Sequence, residues 1–287
     1  MAPARPTGIL GALVRAARPA RRPSGLGLGV WGMPRGEVKV CSLGDALLYE
    51  SDVARLQGTG WLNDACIAFG MEYMERRSAG TAPERRPILV GPSAAFMATQ
   101  MSGEEWGAVC GAPLGIDAGT RRRVVLPVSN SVTPDAHESG SHWSVLVLSP
   151  TGAGAAGRQL AAWHVDSMGG CNWGPASRLA REVARAMGAR LASVSPVPGA
   201  PQQANQSDCG VFALECARAA VLLEREGGGW GAGDLGRALA RRCEELGGAR
   251  GLGERARELW EGRARAVAAA GSLAFPDPDW GAPQGLA

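Results

Sequence analysis

The chain has 287 residues, 45% of them hydrophobic and 20% charged, with 30 Lys+Arg against 27 Asp+Glu, 42 Gly, 19 Pro and 7 Cys. That is enough for one large domain or two small ones around a real core, and a mean hydropathy of −0.06 with this charge content excludes a wholly disordered or fibrous protein. Only Lys39 is lysine, so the arginines and glycines reflect a compositional bias and signal neither nucleic acid nor turns by themselves.

Residues 1–36 hold six arginines (Arg5, Arg15, Arg18, Arg21, Arg22, Arg35) and no acid. They are expected to form a disordered or targeting leader, and removing them turns the net charge from +3 into 24 minus 27, or −3. The apolar stretch Thr7–Val14 is too short for a secretory signal, and later uncharged runs are broken by Pro, Gly and Ser, so no membrane span is predicted. A location in cytoplasm or nucleus is expected, with organellar targeting by the leader as the alternative. A folded domain is expected over 37–268 and a fraying tail over 269–287.

After the leader, 38–48 reads as a short strand and turn, and 61–77 as a helix capped by Asn63 or Asp64 with Ile67, Met71 and Met74 along one stripe. Residues 87–90 read as a strand and Ser93 as the cap of a following helix. A strand at 124–128, a polar loop at 129–141, and strand-like runs at 142–148 and 159–166 joined by Gly/Ala-rich residues come next. Further on, 174–186 is helical, 191–197 extended, 209–224 an apolar helix, and the segment after Gly227 carries one or two helices up to about 268. Helices, a small sheet, then helices, without alternating βαβ units, predict an α+β domain. Arg121, Arg122 and Arg123 read as a solvated strand entry, and Val211, Leu214, Val221 and Leu222 as core.

Seven cysteines without a C-x-x-C fit neither a disulfide framework nor a zinc site, but one of them can be a nucleophile. Of the three histidines, His137, His142 and His164, the second has a testable neighbour. If 142–148 and 159–166 pair as a hairpin with Leu148 opposite Leu160, His142 faces Asp166 and His164 faces Ser144, and facing Cβ atoms lie about 4.5–5.5 Å apart. Cys209 begins the apolar helix after a polar turn, among free backbone N–H groups that favour a thiolate. Ser207 or Asp208 can cap that helix, and Gln203 can aim its amide at a developing oxyanion beside the Cys209 N–H. Taken singly, a Cys at a helix start or a His in a strand is more often structural; the conjunction raises the odds.

Four ordered blocks, Trp61-Leu62-Asn63-Asp64, Ser141-His142-Trp143-Ser144, His164-Val165-Asp166-Ser167, and Pro201-Gln202-Gln203 through Asp208-Cys209-Gly210, resemble the Ulp/SENP family of ubiquitin-like protein proteases over about 40–220. The resemblance implies a papain-like α+β fold with Cys209 as nucleophile, His142 as general base and acid, Asp166 as its orienter and Gln203 as oxyanion donor. It implies that Trp143 covers a narrow tunnel for a Gly-Gly tail and that Trp61 and Asp64 help hold the modifier's C-terminus, Trp61 serving alternatively as a core anchor. No metal and no organic cofactor is implied.

Ala68-Phe69-Gly70-Met71-Glu72-Tyr73 and the approach Ser139-Gly140-Ser141 look most like the deneddylase branch, which acts on Nedd-type modifiers; Ser207 stands where that branch has tyrosine, as in some SUMO proteases. The expected partner is therefore a Nedd-type modifier with its conjugates, not nucleic acid or membrane, and a monomer is the default. The alternatives are a SUMO- or ubiquitin-specific protease, a non-catalytic modifier-binding module and an acyltransferase using the same residues.

Overall fold

The computed structural model describes residues 37–131, 140–154, 157–227, 229–273, 275–277, 279 and 280. The Arg-rich leader to residue 36, most of the polar loop including His137, and 281–287 lie outside them. The chain divides at Glu37, and 38 onward forms one compact unit.

A hairpin of β1 (Lys39–Leu43) and β2 (Ala46–Tyr49) runs into the short helix α1 (Glu50–Arg55) and then α2 (Asp64–Arg77). Asn63 caps α2, accepting from the Cys66 N–H at 3.1 Å, and its amide donates to Asp52 of α1 at 2.6 Å. The predicted stripe Ile67, Met71 and Met74 is buried. Strand β3 (Ile88–Leu89) leads to α3 (Pro92–Gln100), which starts on Pro92 with Gly91 as its cap, so Ser93 lies inside the helix and caps nothing; the single turn α4 (Gly103–Trp106) follows.

The central sheet has the order β3, β4 (Val124–Ser129), β5 (Trp143–Gly154), β6 (Gly157–Val165), β7 (Arg190–Pro196). Its inner pairs are antiparallel and its outer pairs parallel. The near-continuous apolar runs of β4 and β5 are explained by burial on both faces. Val125, Val145, Val147 and Val165 face a core shared with α2 and α6 (Cys209–Glu226). Val124, Leu126, Leu146 and Leu148 face a second core under α3 and α5 (Trp173–Ala186). The architecture is the expected α+β.

The β5–β6 register differs from the one expected by two residues: Leu148 pairs with Ala162, and Leu160 with Pro150. The strands continue past 148 through an irregularity between Pro150 and Ala153, where the Gly/Ala-rich composition reads as a loop. A slip of two keeps every side chain on its face, so the His164–Ser144 contact forms anyway, diagonally, at 2.9 Å.

Beyond α6, α7 (Ala232–Glu245) and α8 (Gly248–Ala270) cover the first core. The expected fraying from 269 does not hold as far as Trp280, because Leu273, Asp277 and Trp280 are buried and Tyr73 donates to Asp277 at 2.5 Å. Of the arginines before β4, Arg121 is exposed as expected, but Arg122 and Arg123 are half-buried. Arg123 donates to Glu224 at 2.6 Å and to the Trp230 carbonyl at 2.8 Å and lies 4.3 Å from the Trp230 ring, while Arg122 donates to the Arg86 carbonyl. Among the described residues no helix is long and apolar enough to cross a membrane.

Gly236 lets α7 lie on the loop that follows β7, since a Cβ there would sit 1.9 Å from the Pro198 carbonyl oxygen. Alanine in a helix interior gains up to about 1 kcal/mol over glycine, whereas overpacking against backbone costs about 1–3 kcal/mol. Gly236→Ala is therefore expected to lower the thermal midpoint, read by circular dichroism; a raised midpoint refutes the close approach.

Candidate active site

His142 and Asp166 stand just outside the paired ends of β5 and β6, whose last described pair is Val145 with Val165. They meet at the strand ends and not as a facing pair. The His142 backbone is fixed from two sides: Asn130 Oδ1 accepts from its N–H at 3.1 Å, and the Asn172 amide donates to its carbonyl at 3.2 Å and to that of Val128 at 3.0 Å. His142 Nε2 donates to Asp166 Oδ1 at 2.7 Å, with both residues buried.

The Asp166 carboxylate also accepts from the Met168 N–H on Oδ1 and the Asn172 N–H on Oδ2, each at 2.8 Å. Burial opposes its charge, but these three donors and the nearby imidazole outweigh it and hold the carboxyl below its usual range. Burial likewise opposes the His142 imidazolium, yet the hydrogen bond to Asp166, the interaction with the Cys209 thiol and the charges of both lift its pKa to about 9. The other ring nitrogen, Nδ1, is buried without a hydrogen bond of normal length, which leaves it for Cys209. His164 is pushed the other way, chiefly by burial, and stays neutral against Ser144.

Cys209 is buried and is the first residue of α6. Gly210 is needed behind it, since a Cβ there would meet Leu62 at 2.7 Å, and Leu62 in turn accepts the Trp143 indole N–H at 2.8 Å. The expected capping of α6 by a side chain does not occur. Asp208 occupies the cap position but spends its carboxylate on Arg257 Nε at 2.8 Å and on the Asn205 amide at 2.8 Å. Gln203 lies near the same turn. Its Oε1 accepts from Ser167 Oγ at 2.6 Å and its Nε2 donates to the Asn205 carbonyl at 2.5 Å. Gln202 braces the neighbouring strand end, donating to the Asp166 carbonyl at 3.0 Å.

Trp143 is buried, with its indole N–H on the Leu62 carbonyl. Trp61 is 48% exposed, so it is no core anchor, and Asp64 beside it is exposed at the first turn of α2. The structure thus brings His142, Asp166 and Cys209 together, with Gln203 and Trp143 on the adjoining turn and strand. Sequence reasoning missed Asn130, Asn172 and Arg257, whose side chains hold backbone or polar groups of the site and carry no motif of their own, and it gave no role to Ser167, which stands in the Asp166 block and donates to Gln203.

A catalytic imidazole between a carboxylate and a thiol is the equipment of a cysteine peptidase. The model of the Ulp1 protease family, C-terminal catalytic domain, matches residues 60–222. "NEDD8-specific protease 1" of Arabidopsis thaliana is 30% identical over 180 residues, covering 63% of this chain and 74% of that protein. "Sentrin-specific protease 8" of Homo sapiens is 27% identical over 176 residues, 61% of this chain and 77% of its own. Among solved structures, one titled "Crystal structure of the de-sumoylating protease" superposes with a TM-score of 0.55 at 12% identity, over 83% of this chain and 93% of the other. The Ulp1-like SUMO protease catalytic domain of Chaetomium thermophilum gives 0.51 at 20%, over 92% and 89%; at these identities both speak for the fold alone. The chain belongs to the Ulp1 protease family of cysteine peptidases, and residues 60–222 correspond to its catalytic domain.

Proposed function

We propose that this cysteine protease removes a Nedd-type ubiquitin-like modifier from lysine conjugates and trims its precursor after Gly-Gly, with Cys209 as nucleophile, His142 as base and acid, Asp166 as orienter and Gln203 as oxyanion donor. The observation that carries the chemistry is the buried His142–Asp166 pair whose second ring nitrogen is left for Cys209. Likeness to the Arabidopsis NEDD8-specific protease supports the modifier class.

The Cys209 thiolate attacks the carbonyl carbon of the modifier's terminal glycine, and the oxyanion is met by the Cys209 N–H and the Gln203 amide once that amide turns from the Asn205 carbonyl. The His142 imidazolium gives its proton to the leaving amine as the C–N bond breaks, leaving a thioester. His142, now neutral, takes a proton from water, and the resulting hydroxide releases the modifier's carboxylate and returns the thiol. Trp61, Asp64 and Trp143 flank the path of the modifier's tail in this reading.

The test is a panel of C-terminally electrophilic Nedd-type, SUMO and ubiquitin probes. A stable adduct that forms fastest with the Nedd-type probe and disappears in Cys209→Ala is expected. No adduct, or one that survives Cys209→Ala, would sink the protease reading; faster labelling by SUMO or ubiquitin would move the modifier assignment to that branch.

A further inference from the structure

The turn that presents Cys209 is gripped from a helix outside the region matched by the family model, which ends at residue 222. Arg257 of α8 is buried, as are Ser207 and Asp208. Its guanidinium divides three ways: Nε to Asp208 Oδ1 at 2.8 Å, Nη2 to the Ser207 carbonyl at 2.7 Å, and Nη1 to the Arg55 carbonyl at the end of α1 at 2.8 Å. Four residues earlier on the same helix face is Gly253, where a Cβ would fall 1.9 Å from Asp208 Oδ2. The helix therefore approaches the residue before the nucleophile as closely as a glycine permits.

The turn is closed from the inside by Asn205, whose Oδ1 accepts the N–H groups of Ser207 and Asp208, each at 3.0 Å, and whose amide donates to Asp208 Oδ2 at 2.8 Å. The Asn205 carbonyl in turn holds the Gln203 amide. One connected set of bonds thus runs from Arg257 through Asp208 and Asn205 to Gln203, with Cys209 attached covalently at Asp208. The fork geometry of a guanidinium is what allows one side chain to reach a carboxylate and two carbonyls at once; an ammonium is a point donor and cannot reproduce it.

We propose that Arg257 is a positioning residue for the reaction: it holds the 205–209 turn so that the Cys209 thiol stands at His142 and the Cys209 N–H and Gln203 amide stand where the oxyanion forms. This rests on Cys209 being the nucleophile. Arg257 touches no reacting atom, and its effect falls on the chemical step and not on modifier docking.

The experiment is steady-state hydrolysis of a fluorogenic C-terminal amide of the preferred modifier by the full chain, kcat and KM taken separately, together with the iodoacetamide alkylation rate of Cys209 followed by mass spectrometry. The variants are Arg257→Lys, which keeps the charge, and the isosteric Asp208→Asn, each assayed well below its own thermal midpoint. Displacement of a nucleophile by about an ångström costs up to about a hundredfold, so Arg257→Lys is expected to lower kcat by about ten- to a hundredfold with KM within about twofold. Asp208→Asn, which still accepts from Nε, is expected to lose less. Unchanged kcat per folded molecule in Arg257→Lys overturns the inference, as does a loss carried by KM. The underlying reading is separated by Cys209→Ala: turnover that survives it removes the nucleophile assignment and this inference together, whereas abolished turnover alongside a fully active Arg257→Lys removes this inference alone.

Discussion

Asp166→Asn is expected to leave the protein folded and to lower kcat/KM on the order of 10³- to 10⁴-fold, the scale seen when the orienting carboxylate of a triad becomes an amide. The reason is visible in the donors around the group. Oδ1 accepts from His142 Nε2 and the Met168 N–H, and Oδ2 from the Asn172 N–H, so each of these hydrogen-bond partners of the carboxylate is a donor. An amide must turn its NH2 toward one of these positions. Placed at Oδ1, it forces His142 to accept on Nε2 and to carry its proton on Nδ1, which removes the base from the thiol. Placed at Oδ2, it leaves a buried N–H facing another N–H, at a cost of about 1–3 kcal/mol.

The same substitution should change the pH profile. Because the folded His142 pKa is raised from its ordinary 6.5 to about 9, the imidazolium and the interactions that favour it are fully present below about 6.5 and are lost as pH rises through about 9. Wild-type kcat/KM is expected to decline above about pH 9, and in Asp166→Asn the residual activity should lose that alkaline limb at distinctly lower pH. A rate-against-pH series on the fluorogenic modifier amide measures this. An alkaline limb that stays put in the variant would mean that Asp166 is not what holds the proton on His142.

The fold was readable where one physical signal dominates. Residues 124–128 and 145–148 are apolar without alternation because both faces of β4 and β5 are covered, and Ile67, Met71 and Met74 recur with helical period because one face of α2 is. The β5–β6 register was off by two because Pro150 and the glycines around it look like a loop while forming an irregular ladder, and the face of each residue survived because the error was even. The arginines were the harder case. With almost every basic residue an arginine, nothing in the sequence separates Arg257 and Arg123, buried or half-buried and divided among several acceptors, from Arg237, whose side chain is 72% exposed against Asp234. Asp208 misled for a related reason: an acid before a helix reads as a cap, and its true partner lies 49 residues downstream.

Arg263→Met is expected to be the most damaging single change to stability among the described residues of the C-terminal segment. Arg263 donates to Asp277 at 2.9 Å and to Asp279 at 2.7 Å and stacks 4.3 Å from the Trp260 ring, and Asp277 also takes the Tyr73 hydroxyl from α2. This network ties Asp277 and Asp279 to α2 and α8. Burial opposes the Asp277 charge, but Arg263 first, then Tyr73 and the Asp279 N–H, hold its carboxyl below the usual range. Its stabilising contribution is accordingly full above the ordinary carboxylate pKa of about 4 and drains away as pH falls through the lower native value. Methionine fills much of the volume but leaves Asp277 buried and uncompensated, at a cost of about 3–5 kcal/mol. At about 2–4 °C per kcal/mol for a domain of this size, that lowers the thermal midpoint by on the order of 10 °C. If lost charge compensation is the cause, removing the stranded acid should restore much of the loss, because an ion pair replaced whole by apolar groups is often neutral. Arg263→Met/Asp277→Leu is therefore expected to melt above Arg263→Met in parallel scans at pH 7; a double variant that melts no higher would assign the loss to packing against Trp260 instead.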